Sequence, residues 1–107
     1  MARLLPRSNR GLWLGLGLIA RVAGDSMLPT LAPGDIVFAR RARRVPPGQV
    51  ALMRLGQRWL VKRVVRYDED GGRCLLGVEA PFGWVPRSAI QARVVGVYRI
   101  GKGFARL

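Results

Sequence analysis

The chain has 107 residues, half of them hydrophobic at 50%, which is enough for one small packed domain and too little for a multidomain enzyme. Arginine and lysine total 19 against 6 acids, a formal charge of +13, so anionic partners are attracted without any one of them being identified. Histidine is absent and Cys74 is the single cysteine, which excludes a Ser-His-Asp triad, a Cys-His pair, an HExxH zinc site, a thiolate metal cage and an internal disulfide.

Residues 1–10 carry Arg3, Arg7 and Arg10, and the apolar run from Gly11 to Ala20 follows, ending at Arg21. That run is too short to span a bilayer, which takes about 20 apolar residues. No small-x-small cleavage pattern follows it, so it is expected to be retained. It reads as a strand or helix lying on the core, ahead of an interfacial anchor in which Trp13 and the flanking arginines would meet an anionic membrane surface. The expected organisation is a basic and apolar segment over 1–23 and a folded domain over 24–107.

From residue 24 onwards, turn signals recur at short intervals between β-branched and apolar runs, which predicts a mainly β, compact antiparallel domain. Pro33-Gly34-Asp35 leads into a strand over Ile36–Ala39, and Pro46-Pro47-Gly48 leads into another over Gln49–Met53. Leu55-Gly56-Gln57 is a hairpin loop into Trp59–Val65. Asp68–Gly72 is a further turn, followed by a short strand over Cys74–Gly77 and a closing one over Ala92–Ile100. The consecutive acids 68–70 read as a solvated turn, and the arginine-rich run 40–44 as a solvent-facing segment with the chemistry to bind phosphate or lipid head groups. The aromatic residues are scattered singly, without the pattern of a nucleic-acid module, so nucleic acid is an unfavoured partner.

Without histidine, two routes to hydrolysis remain. One is a carboxylate pair drawn from Asp25, Asp35, Asp68, Glu69, Asp70 and Glu79; the other is a hydroxyl activated by an amine. Gly24-Asp-Ser-Met-Leu-Pro-Thr-Leu31 places Ser26 in a turn with glycine two residues before it and proline three after. Such a turn brings the hydroxyl beside backbone N–H groups able to hold an oxyanion. The second piece is Lys62. Positive charge is written as arginine everywhere except at Lys62 and Lys102, and lysine, unlike arginine, can give up its proton. Strand alternation puts Lys62 on one face with Leu60 and Val64, where burial lowers its pKa. A neutral amine there would take the Ser26 proton during acyl transfer and return it to the leaving amine.

Gly24-Asp-Ser-Met-x-Pro-Thr-Leu, Pro-Gly-Asp at 33–35, Pro-Gly-Gln-Val-Ala at 47–51 and Val-Lys-Arg-Val-Val at 61–65 resemble the successive boxes of the signal peptidase I family of Ser/Lys proteases. The likeness covers 24–66 closely and Phe82–Pro86 and Val94–Gly96 loosely. It implies Ser26 as nucleophile, Lys62 as general base, the Ser26 backbone N–H as oxyanion donor, and a β core of the kind shared with LexA-type self-cleaving repressors. Gly24, Asp25 and Met27 are the residues expected to touch substrate, and no metal or cofactor is implied.

Length favours a small branch of that family, which removes the leader of the nickel-type superoxide dismutase precursor. That precursor is the implied partner, and the cytoplasm, with peripheral contact to an anionic membrane as the variant, is the implied location. Two features depart from the family pattern. Position 24 is glycine where some relatives carry a hydroxyl, and the Gly-Asp-Asn…Ser-x-Asp-Ser-Arg box is absent, Gly77-Val-Glu-Ala-Pro81 running straight to Phe82. The alternatives are signal peptidase-like processing at the membrane and a non-enzymatic basic module that binds nucleic acid or anionic lipid.

Overall fold

Turn residues at short spacing divide the chain into strands, and a computed structural model describes residues 17–107 together with the backbone of 3–5 and 12–14. The expected contacts of Arg7, Arg10 and the Trp13 side chain with a membrane lie outside the described residues. The strands are β1 (Arg3–Leu5), β2 (Leu12–Leu14), β3 (Gly17–Ala23), β4 (Ile36–Arg41), β5 (Val50–Leu55), β6 (Arg58–Tyr67), β7 (Arg73–Leu76), β8 (Gly83–Pro86), β9 (Ile90–Arg99) and β10 (Gly103–Arg106). A single 3-10 turn, Arg87–Ala89, precedes β9. The protein is therefore mainly β and antiparallel. Among the described residues no helix is long and apolar enough to cross a membrane.

The hydrogen-bonded order β1-β3-β4-β9-β5-β6 closes on itself through the pairing of Arg3 with Leu60, forming a ring, while β7 and β8 extend the sheet beyond β6. β2 pairs with β3, and β10 pairs with β9. The sheet runs across the boundary expected at 23/24. β3 pairs with β4 from Gly17–Arg40 to Arg21–Ile36, and its alternate residues Leu18, Ala20 and Val22 are buried. A period of two with one face inward is what a strand on a core requires.

Two apolar clusters fill the interior, and β6 separates them. Trp59 and Val61 pack with Leu18, Val37, Leu52 and Val94. Leu60 and Val64, on the opposite face, pack with Met53, Cys74, Leu76 and Val85. Because both faces of β6 are covered, its middle reads as an apolar run broken by two charges, Lys62, which is buried, and Arg63, which is partly exposed.

The bulge between Phe38 and Ala39, where β4 meets β9, brings Phe38 opposite Gly96. On Gly96 lies the Phe104 ring, which packs edge-on to Phe38 at 5.6 Å between centroids. A Cβ on Gly96 would stand 2.5 Å from that ring. Glycine in this strand thus marks a site of close approach.

Candidate active site

The serine arrives on an arch between β3 and β4. Gly24, at φ +85°, turns the chain away from β3, a conformation that costs glycine little. The two ends of the arch are stitched together: the Val22 N–H donates to the Asp35 carbonyl and the Gly34 N–H to the Val22 carbonyl, both at 2.8 Å. Within it, Leu28 N–H donates to the Asp25 carbonyl and Leu31 N–H to the Met27 carbonyl. Met27 and Leu31 drop into the core.

Asp35 closes the arch. Its carboxylate is 2% exposed and accepts the Ala32 N–H at 2.8 Å. Arg99, at the end of β9, donates to both of its oxygens at 2.9 and 2.7 Å. The guanidinium's hydrogen bonds hold the Asp35 pKa below the usual carboxylate value, against the opposing pull of burial.

Lys62 lies on β6 opposite Ala51 of β5 and is likewise 2% exposed. Its Nζ donates to Ser26 Oγ at 2.9 Å and stands 5.3 Å from the centre of the Phe82 ring. Burial lowers the Lys62 pKa, and the negative charge of Glu79 pulls it partly back. The structure thus brings together the two residues that the sequence singled out, with the amine on the face shared by Leu60 and Val64.

A second polar cluster braces the site, and sequence reasoning missed it. The Arg63 guanidinium donates through Nη2 to Glu79 Oε2 at 2.7 Å, through Nη1 to the Gly48 carbonyl at 2.7 Å and through Nη2 to Thr30 Oγ1 at 3.2 Å. The Thr30 hydroxyl in turn donates to Glu79 Oε2 at 2.7 Å. Burial pushes the Glu79 pKa up, but the hydrogen bonds from Arg63 and Thr30 more than reverse it, so this carboxylate stays ionised. Thr30 and Arg63 stand inside the two recognised motifs; Glu79, the last acid in the chain, was the remaining signal.

Gly77 permits the turn that delivers Glu79 and Phe82. Its φ is +110°, and a Cβ there would fall on the Ala80 carbonyl oxygen and 2.7 Å from the Phe82 nitrogen.

Of the residues expected to touch substrate, Gly24 and Asp25 are exposed beside Ser26. Met27 is not available for that role. Its side chain is 1% exposed and belongs to the core, so the expectation is corrected: the Met27 side chain turns inward, with Leu31, and packs among the apolar residues there. The apolar residues exposed nearby are Leu28, at 47%, and Val78, at 62%.

The other acids stand apart in role. Asp68 caps its own turn by accepting the N–H groups of Gly72 and Arg73, as a solvated turn residue does. Cys74 is buried, which raises its thiol pKa. Among the described residues no group of three or more cysteines and carboxylates converges as a metal site would. Chemically, a buried amine bonded to a hydroxyl on an exposed arch is suited to proton abstraction followed by nucleophilic attack.

The family described as Peptidase S24-like matches residues 16–78, a span that holds the arch, β4, β5, β6 and β7. No curated protein matches the chain.

Proposed function

The chain belongs to the Peptidase S24-like family, and from that premise we propose that it is a serine endopeptidase working through a Ser26–Lys62 dyad. The observation that carries the reading is the 2.9 Å contact between Lys62 Nζ and Ser26 Oγ. With its pKa lowered by burial, the Lys62 amine deprotonates at lower pH than a solvated lysine. The neutral amine accepts the Ser26 hydroxyl proton as Oγ attacks the scissile carbonyl, and the ammonium passes that proton to the departing amine. Water then enters, Lys62 takes its proton as the oxygen attacks the acyl carbonyl, and the ammonium returns that proton to Ser26 Oγ as the carbon–oxygen bond to the acid product breaks. The Ser26 backbone N–H is the implied donor to the oxyanion. Glu79, Arg63 and Thr30 position the strand and arch, and the Glu79 charge sets how readily Lys62 gives up its proton.

The proposed substrate is the leader of a precursor protein, met by the exposed rim of Gly24, Asp25, Leu28 and Val78. A nickel-type superoxide dismutase precursor, the partner that the motif resemblance implies, is the first to be offered. Incubation of the full chain with that precursor, followed by mass measurement of the products, tests both levels. A single new cleavage that disappears in Ser26→Ala and in Lys62→Arg supports the dyad. Cleavage that persists in Lys62→Arg overturns it, since arginine does not serve as a base. An intact precursor beside a cleaved generic unfolded substrate removes the named substrate and leaves the protease.

A further inference from the structure

At the far end of β4 from the Ser26 arch, a cleft of about 420 Å³ is lined by Arg41, Ala42, Arg43, Arg87, Ser88, Ile90 and Gln91. We propose that this cleft is a binding site for a phosphate ester, separate from the peptidase site. β4 is six residues long, and at about 3.3 Å per residue the cleft stands some 20 Å along the strand from the arch. Nothing about it depends on the dyad.

The lining holds three guanidinium groups and no carboxylate. Like charges gathered in one concavity repel one another, and a bound anion relieves that repulsion while accepting planar, paired hydrogen bonds that arginine is shaped to give. The walls are fixed before any ligand arrives. The Ala42 N–H donates to the Gln91 carbonyl at 3.1 Å, and the Arg87 N–H donates to the Gly72 carbonyl at 2.9 Å. The Arg87 side chain donates through Nε to the Gly71 carbonyl at 3.0 Å and through Nη1 to the Arg43 carbonyl at 3.4 Å.

Two of the lining donors have no competing partner. Among the described residues neither the Arg43 guanidinium nor the Ser88 hydroxyl makes a hydrogen bond or ion pair. Ile90 is buried and supplies an apolar wall. The volume exceeds what a bare phosphate fills, so the class that fits is a phosphate carrying a small organic group, either a soluble phosphoester or the head group of an anionic phospholipid.

The test uses the full chain with two probes, glycerol phosphate followed by calorimetry, and vesicles of phosphatidylglycerol against phosphatidylcholine followed by sedimentation. The variant Arg41→Gln with Arg43→Gln is compared with Arg58→Gln with Arg106→Gln, which loses the same charge elsewhere; thermal unfolding checks that each is folded. Arg43→Gln alone serves if the double variant unfolds early. The expected result is a loss of at least tenfold in affinity for the cleft variant and less than threefold for its control. Loss with glycerol phosphate assigns a soluble ester, and loss confined to phosphatidylglycerol vesicles assigns the lipid head group. Equal losses in both variants, or no binding of either probe, overturns the proposal.

Discussion

Two side chains in this molecule carry ionisable groups that are equally sealed from solvent, and their surroundings differ in kind. Asp35 is met by a bidentate guanidinium and a backbone N–H, so its charge is matched and its pKa held down. Lys62 is met by a hydroxyl and an aromatic face, and the carboxylate that acts on it, Glu79, is bonded to Arg63 and Thr30 instead. A buried charge with a full set of partners is fixed in its ionised state and serves the architecture. A buried amine offered only a hydroxyl is left free to change its protonation, and that is what chemistry needs.

The largest effects break the comparison at the dyad. Ser26→Ala and Lys62→Arg are each expected to lower kcat/KM for precursor cleavage by at least about a thousandfold, measured on purified protein of unchanged fold. Lys62→Met should be as inactive yet no less stable than the parent in urea, because a poorly matched buried amine is replaced by an apolar chain of similar length. A clear loss of stability in Lys62→Met would show the amine to be structural after all.

Asp35→Asn tests the other member, and about 2 kcal/mol of unfolding free energy should be lost, read from the urea midpoint. The sign with pH follows from its lowered pKa: the Asp35 contribution is complete above the ordinary carboxylate value and disappears as pH falls through the lower folded value. Lys62 contributes oppositely in range. Its folded pKa lies below the ordinary lysine value, so the folded state binds fewer protons between the two and stability climbs with pH across that interval. Lys62→Met should abolish the climb.

Gly77→Ala is expected to cost about 1–2 kcal/mol, from its positive φ and the crowded turn. Activity should fall further than stability, since Glu79 and Phe82 are displaced together; thermal unfolding and kcat read alongside each other separate the two. The smallest effect sharpens the contrast. Glu79→Gln removes the charge that raises the Lys62 pKa, so the acidic limb of the pH profile of kcat/KM should move to lower pH. Movement to higher pH would mean that Glu79 does not act on Lys62 as a charge.

Much of the site was legible because it is local in sequence or periodic. The Ser26 arch is written in glycine and proline, and the face on which Lys62 lies follows from alternation along β6 alone. Strands expected at 36–39, 49–53, 59–65, 74–77 and 92–100 appear within a few residues as β4, β5, β6, β7 and β9. The distal pieces were not legible. Glu79 joins Arg63 and Thr30 across 16 and 49 positions, and no local pattern encodes such a meeting. β8 and β10 carry little strand signal in the sequence, because glycine opens each and an exposed aromatic residue interrupts the alternation. Met27 misled for the opposite reason: it sits within the strongest motif, and motif membership does not say which side of the arch a residue faces.

The position of β6 between two cores has a consequence for when the protein becomes competent. A slip of one residue against β5 would turn either Val61 or Arg63 towards the arch and carry Lys62 to the other cluster, inverting what both cores bury. Misregistered chains are thus both unstable and inert. The meeting of Ser26 and Lys62 therefore arrives in the same step as correct strand alignment.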